Sequence, residues 1–358
     1  MIAPAALICA LGIPTGFLLI RRIPVCPPSQ PHQAISLSIV IPARNEGNNI
    51  PRLLQSIAKS TEHPPEVLVV DDASTDSTAL VARSLGATVV ASAPLPSGWT
   101  GKTWACHQGA LRATGDTLLF LDADTYFIAG GLDRIIAYWQ RKRDSRLVLS
   151  LLPYHVTNTV YEQLSLFFSV LMAAGAGGFG VVAAPQLFGQ SLLITKEIYF
   201  VAGGHASVRG FILENLHLAQ LLRSSGAHIL CLGGRGALHM RMFPEGFRQM
   251  SDSWTKAFVY GAAASGGFIL ASAIVWISAL WSTILLLIAP HDYGRNSLAI
   301  VYILLTLQLA WLGRRLGSYG FFTCLLYPLP LTYYCVIFGR SAIRRMRGRK
   351  TAWRGREI

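Results

Sequence analysis

The 358-residue chain is 52% hydrophobic and carries a formal net charge of +13, with a mean hydropathy of +0.43. That is too apolar for an ordinary soluble enzyme, so part of the chain belongs in or on a membrane. The charge fits nucleic acid or an anionic membrane surface, and eight Lys/Arg between Arg340 and Arg356, directly after an apolar stretch and without a nucleic-acid motif, select the membrane.

Residues 2–20 are apolar, uncharged and just long enough to span a bilayer. Arg21 and Arg22 follow, while the amino end carries no Lys or Arg, the reverse of a cleaved signal peptide. The expectation is an uncleaved anchor over 1–22, with everything after Arg22 cytoplasmic. Pro27, Pro28 and Pro31 then make a stiff spacer.

From Ser36 to Asp124 strand and helix patterns alternate. Residues 37–41 are predicted as a strand, Pro42-Ala43-Arg44-Asn45-Glu46-Gly47 as its outgoing loop, and the next helix tolerates Pro51 in its first turn. Residues 67–70 form a second strand. Its loop, Asp71-Asp72-Ala73-Ser74-Thr75-Asp76-Ser77-Thr78, is full of helix-capping side chains and leads into a helix over 79–85. A third strand is predicted at 88–90, a helix at 102–113 and a fourth strand at 118–121. Such repeated units predict an α/β domain with a parallel sheet and polar loops gathered at the strands' carboxyl ends. No Gly-x-Gly-x-x-Gly follows the first strand and no Walker lysine loop is present, which disfavours hydride transfer on a dinucleotide.

The fourth strand ends in Asp122-Ala123-Asp124. Two adjacent carboxylates repel unless a cation sits between them. Mg²⁺ or Mn²⁺, hard cations with oxygen ligands, suit the pair and would also hold a substrate's phosphates. A turn-forming Asp pair is the plainer account. The six cysteines are scattered, with no close pair of metal-ligand spacing, and read as buried thiols in a reducing compartment.

Pro42-Ala43-Arg44-Asn45-Glu46, then Val70-Asp71-Asp72-Ala73-Ser74-Thr75-Asp76, then Gly101-Lys102 with Ala105 and Gly109, then Asp122-Ala123-Asp124 form an ordered set. This set resembles the signature of the large inverting family-two glycosyltransferases. The resemblance implies a GT-A fold, with Pro42, Ala43 and Glu46 at the nucleotide-sugar site and Asp72 on the base (uracil in relatives). It places Lys102 near the nucleotide, Asp122 and Asp124 on the sugar and the metal-bound diphosphate, and the metal on Asp124. For Asp76, helix capping is the expectation.

Further elements narrow the match: Gly98-Trp99-Thr100-Gly101-Lys102 behind a proline-rich insertion, Pro153-Tyr154-His155, Phe188-Gly189-Gln190, Glu214, Arg241-Met242-Phe243-Pro244-Glu245-Gly246-Phe247 and Trp254-Thr255-Lys256. Together these are similar to the diaponeurosporenoate glycosyltransferases of staphyloxanthin-type carotenoid synthesis, nearly over the full length. The similarity implies glucose transfer from UDP-glucose to the carboxyl group of a C30 carotenoid acid. Hopanoid-associated glycosyltransferases share the Gly-Trp-Thr-Gly-Lys element.

In many family-two enzymes the catalytic base is the Asp of a Glu-Asp pair opening a helix. Here the pair is Glu214-Asn215, which leaves Glu214, with Asp122, as the catalytic candidates. A hydroxyl acceptor loses a proton as it attacks and needs a base within reach. A carboxylic acid, with an unperturbed pKa of about 4, arrives already ionised, so an ester-forming enzyme tolerates Asn there and Glu214 would orient or desolvate the acceptor. Trp99, His205 and Trp254 are acceptor-site candidates, although Trp254 also reads as an interfacial anchor. Arg241 is placed to neutralise the leaving diphosphate, with plain surface charge as the competing account.

Residues 161–184 are apolar but glycine-rich. Asp122, Asp124 and Glu214 must share one crevice, so no single span fits between them. The segment is expected as a monotopic or re-entrant insert of a catalytic domain over 36–256, or as a buried core helix. Residues 268–288 read as a span, 297–312 as a marginal return span, and 321–338 as an apolar hairpin bent at Pro328 and Pro330. Membrane helices over 257–339 then precede a basic cytoplasmic tail over 340–358, with three or four crossings open. The overall expectation is a multi-pass enzyme of the cell membrane, its catalytic domain facing the cytoplasm. It takes a UDP-sugar, an apolar lipid-like acceptor and Mg²⁺ or Mn²⁺, contacts anionic lipid and binds no nucleic acid. The alternatives are transfer to a hydroxyl of a hopanoid or other membrane lipid, and a non-catalytic scaffold with a degenerate nucleotide domain.

Overall fold

The computed structural model describes every residue except Met1, 29–31, Arg143, 183–184, Ile212, Ser265, 290–294, 348–351, 354–355 and Ile358. The chain forms two units, one from Pro24–His155 and Pro185–Arg241, the other from Met1–Ile23, Val156–Ala184 and Met242–Ile358.

The first unit carries the strands β1 (Leu37–Ala43), β2 (Glu66–Asp71), β3 (Thr88–Ala91), β4 (Thr117–Leu121), β5 (Thr125–Phe127), β6 (Leu147–Leu152), β7 (Tyr154–His155), β8 (Ser191–Thr195), β9 (His228–Gly233) and β10 (Leu238–Met240). The main sheet runs β3-β2-β1-β4-β8-β6-β9. Its first four strands are parallel, joined through the helices Ile50–Lys59, Thr78–Ser84 and Gly101–Arg112. Strand β8 then runs antiparallel to β4 and β6, and β9 parallel to β6. A second sheet has the order β5-β10-β7.

Successive side chains of a strand point to opposite faces, so β4, buried along its length, feeds two cores. Leu119 and Leu121 join Ile39, Ile41 and Leu53 on one face. Leu118 and Phe120 join Val40, Val70 and Ala105 on the other. A strand buried on both sides reads as an unbroken apolar run, which makes 118–121 legible in the sequence. Gly109 lets the helix Gly101–Arg112 approach this sheet, since a Cβ there would lie 2.3 Å from Val40 Cγ1.

The second unit is mainly helical: Ile2–Leu19, Leu166–Ala176, Phe247–Ala264, Gly267–Ile288, Arg295–Leu316, Phe321–Leu325 and Pro328–Met346, with a short antiparallel pair, Ala352–Trp353 and Arg356–Glu357. By length and composition, Gly267–Ile288 and Arg295–Leu316 can cross a membrane. Most of the loop expected between them falls on 290–294, outside the described residues. Leu166–Ala176, with 11 residues, is too short to span, and Phe167, Phe168, Val170 and Ala173 are buried. Residues 156–184 and 242–256, expected within the catalytic domain, group with these helices because their apolar side chains pack among them. The 321–338 segment breaks at Leu326 and Tyr327, and Pro328 then opens the next helix, where its missing N–H is tolerated. That helix continues past Arg340 to Met346, so the start of the expected basic tail is helical. Gln308, only 4% exposed, accepts from Trp276 Nε1 at 3.0 Å and donates to the Ile13 carbonyl at 2.8 Å.

Candidate active site

The loops leaving β1 and β2 are stitched together. Asn45 and Ala73 take positive φ values of 54° and 52°. Asn45 Oδ1 accepts from the Thr75 N–H at 2.8 Å, while the N–H groups of Asn45 and Glu46 donate to Ser74 Oγ (2.9 Å) and Thr78 Oγ1 (2.8 Å). Asp76 accepts from the Thr78 N–H and from the Gly47 N–H, both at 3.0 Å. It therefore closes the turn ahead of the helix Thr78–Ser84, whose N-cap position is Ser77 and not the expected Asp76, and it also ties one loop to the other. Burial would raise its pKa, but these hydrogen bonds outweigh that and hold it below the usual carboxylate value. Asp72, 7% exposed, lies 3.6 Å from Arg44 Nη1, which also donates to the Asp72 carbonyl at 3.0 Å. Glu46 is buried and accepts from Asn49 Nδ2 at 2.7 Å.

Three elements bring charge together at the end of β4. Asp122 leaves that strand, Glu214 opens the helix Glu214–Ser224, and Lys102 lies in the first turn of Gly101–Arg112, where Thr100 caps the Thr103 N–H. Lys102 Nζ is 2.7 Å from Asp122 Oδ1 and 3.6 Å from Glu214 Oε1, and it donates to the Gly189 carbonyl at 2.8 Å. Burial works to lower the Lys102 pKa, yet Asp122 and Glu214 overcome it, so the pKa rises and the ammonium stays charged. Burial pushes the Glu214 carboxyl up, against the pull of Lys102. Beside it, the Asn215 amide donates to the Leu187 carbonyl at 2.5 Å. A carboxylate, an acceptor only, could not make that bond.

His205 is 5% exposed, with Nδ1 2.9 Å from the Tyr199 hydroxyl and its ring 5.0 Å from Phe120. Burial first, then Lys102 and His107, push its pKa down to about 3, so the ring is neutral at physiological pH. The Cys106 thiol is buried and its pKa pushed up, which makes it an inert packing group.

Pro42, Lys102, Asp122, His205 and Glu214 line one cleft. Ala43, Glu46, Asp72, Trp99, Asp124 and Arg241 lie outside that lining. Trp99 packs on Trp104 and His107, with ring centroids 4.8 and 5.2 Å away. Arg241 follows β10 and acts on Tyr126. Trp254 belongs to the helical unit, 4% exposed, stacked on Phe168 at 4.6 Å with its indole N–H on Ser165 Oγ at 3.2 Å. Those are the surroundings of a core side chain, not of an acceptor site. Sequence reasoning missed the Gly189 carbonyl and the Asn215 bond, which depend on a loop from distant sequence. The quoted Phe188-Gly189-Gln190 was the available signal.

Asp122 and Asp124 are half-buried on either side of buried Ala123. Among the described residues no group of three or more His, Cys, Asp or Glu could hold a metal. A Mg²⁺ or Mn²⁺ shared with a diphosphate needs only one or two protein carboxylates, so this donor set fits an ion that binds with its substrate.

The family model described as "Glycosyl transferase family 2" matches residues 38–216. The 4,4'-diaponeurosporenoate glycosyltransferase of Staphylococcus aureus (strain MRSA252) is 33% identical over 331 residues, covering 90% of this chain and 88% of that protein. The same enzyme from strain USA300 matches to the same extent, 33% over 331 residues, 90% of this chain and 88% of that protein. Among solved structures, the mannosyltransferase PcManGT from Pyrobaculum calidifontis, in complex with GDP-Man and Mn²⁺, aligns with a TM-score of 0.57 at 16% identity over 96% of each chain, a likeness of fold.

Proposed function

We propose that this chain, which belongs to glycosyl transferase family 2, is a membrane-bound inverting enzyme that moves glucose from UDP-glucose onto the carboxyl group of an apolar polyene acid such as diaponeurosporenoate. The observation that carries this reading is Asn215. Its amide is committed to the Leu187 carbonyl at 2.5 Å, so the position beside Glu214 holds a structural donor and no base. An acceptor that arrives ionised suits such a site.

UDP-glucose binds at the carboxyl ends of β1, β2 and β4, its base toward Asp72 and its diphosphate toward Asp122 and Asp124. Mg²⁺ or Mn²⁺ on Asp124, with Asp122, would supply charge neutralisation for the diphosphate leaving group. Lys102, fixed between Asp122 and Glu214, adds a preorganised positive charge, and Arg241 a second. The acceptor carboxylate attacks the anomeric carbon opposite the leaving group. A carbon–oxygen ester bond forms as the bond to the diphosphate breaks, its electron pair departs with UDP, and the configuration inverts. Glu214 orients the acceptor and takes no proton.

Apolar helices suit an enzyme whose acceptor is dissolved in lipid. The proposed setting is the cell membrane, catalytic unit on the cytoplasmic side, with the basic residues from Arg340 onward on anionic lipid. One observation favours a second reading, transfer to a lipid hydroxyl: the raised Glu214 pKa improves that carboxylate as a base.

The test is sugar transfer by purified protein in detergent, with UDP-glucose and a panel of polyene acids and lipid alcohols. A product cleaved by mild alkali is the expected ester. An alkali-stable product selects the hydroxyl reading, and absence of both turnover and nucleotide binding selects a scaffold.

A further inference from the structure

The small sheet carries a row of side chains that the reaction above does not use. His239 on β10 stands opposite Tyr126 on β5 and opposite Tyr154 on β7. Their ring centroids lie 5.7 and 4.9 Å from the imidazole. The three share the half-buried face, while Thr125, Phe127, Leu238, Met240 and His155 are buried. Arg52, from the helix Ile50–Lys59, lays its guanidinium 3.4 Å from the Tyr126 ring centre.

The charges acting on this row are all positive: Arg52 and Arg241 at Tyr126, Arg52 at His239, and Arg235 at Tyr154. Among the described residues, neither Arg52 nor Arg235 makes a salt bridge, and His239 Nε2 has no hydrogen-bond partner. Flat apolar rings beside uncompensated guanidinium groups suit an anion carried on a flat apolar body. Location adds to this. Tyr126 is two residues beyond Asp124, so the row begins within about 7 Å of the Asp124 Cα. A nucleophile must lie that close to a sugar held at the Asp122 and Asp124 carboxylates.

We infer that the Tyr126–His239–Tyr154 row with Arg52 is the dock for the acceptor acid, its carboxylate on Arg52 and its conjugated chain on the rings. This rests on the acid-acceptor reading above. Arg52 is exposed, so its replacement leaves the fold intact, and Arg52→Lys keeps the charge but loses the planar fork.

The experiment measures initial rates with UDP-glucose and a C30 carotenoid acid in detergent micelles, and, separately, binding of that acid and its methyl ester by polyene absorbance. Arg52→Ala is expected to raise the KM for the acid on the order of tenfold or more, with the KM for UDP-glucose unchanged. The same variant should bind acid and ester alike, whereas the parent prefers the acid, and Arg52→Lys should recover part of that preference. His239→Gln should also raise the acceptor KM. A rise in the UDP-glucose KM instead would assign the row to the donor and overturn the inference. Ester formation by the parent, with Arg52→Ala and His239→Gln both keeping its acceptor KM, would overturn this inference alone. A parent that makes no ester and binds no acid would overturn the function reading, and the dock with it.

Discussion

In the sheet unit Lys102 stands between Asp122 and Glu214; in the helical unit Gln308 stands between the Trp276 indole and the Ile13 carbonyl. Both join segments that are far apart in sequence, and both put polar atoms where apolar ones surround them. The second is neutral and closed, with Trp276 0% and Gln308 4% exposed. Its amide finds a partner on each side, which is how a buried polar group serves a fold. The first sets two carboxylates against one ammonium and stays open, with side chains 28%, 29% and 13% exposed for Asp122, Lys102 and Glu214. Charge kept half-exposed and unbalanced is expensive for stability alone and is what a ligand site requires.

That contrast is sharpest under mutation. Asp124→Ala should cut sugar transfer on the order of a thousandfold while the melting temperature barely moves; a parent-like rate would remove the acid pair from the reaction. Asn215→Asp should come next. A carboxylate forced against the Leu187 carbonyl costs about 2 kcal/mol, read as a lower Tm together with slower transfer, because Gly189 carries a Lys102 contact in the same loop. Gln308→Ala inverts the pattern: about 1–2 kcal/mol of stability is lost, and turnover per folded molecule is kept. Loss of turnover without loss of stability would erase the distinction between the two clusters. In pH profiles, the raised Glu214 pKa means its carboxylate is protonated at a higher pH than an ordinary Glu. Transfer should therefore fall on the acid side earlier than a free carboxylate predicts. His205, at about 3, contributes nothing to that limb, and Glu214→Gln should move it down toward the range in which the acceptor acid itself is protonated. The smallest effect is Asp76→Ala, about 1 kcal/mol from the lost hydrogen bonds to the Thr78 and Gly47 N–H groups. Because the folded Asp76 pKa is depressed, its contribution is present above the ordinary carboxylate pKa and disappears as the pH falls through the folded value.

The parallel half of the sheet, and with it the GT-A fold, is legible because buried strands write themselves as apolar runs and their loops as clusters of Asp, Ser and Thr. Strands β6, β8 and β9 lie beyond the alternating pattern that runs from Ser36 to Asp124, and β8 reverses direction, so periodicity gives no order for them. Asp122 and Glu214 could be nominated singly, but the ammonium between them depends on a meeting of three distant segments. Trp254 misleads for a physical reason: an aromatic residue near apolar helices has the same sequence context whether it anchors at an interface or stacks on Phe168. Asp76 shows the converse. Its turn bond to the Thr78 N–H is local and readable, whereas its bond to Gly47 belongs to a neighbouring loop.

The bond from Gln308 to Ile13 closes a separation of 295 residues. At a synthesis rate of about 5–20 residues per second, the helix Ile2–Leu19 spends roughly 15–60 s without the amide it will finally receive. Completion of that bond is thus a late event in biogenesis. Nascent chains interrupted after Ile288 but before Gln308 would hold that helix against Gly267–Ile288 with the Ile13 carbonyl still lacking this partner.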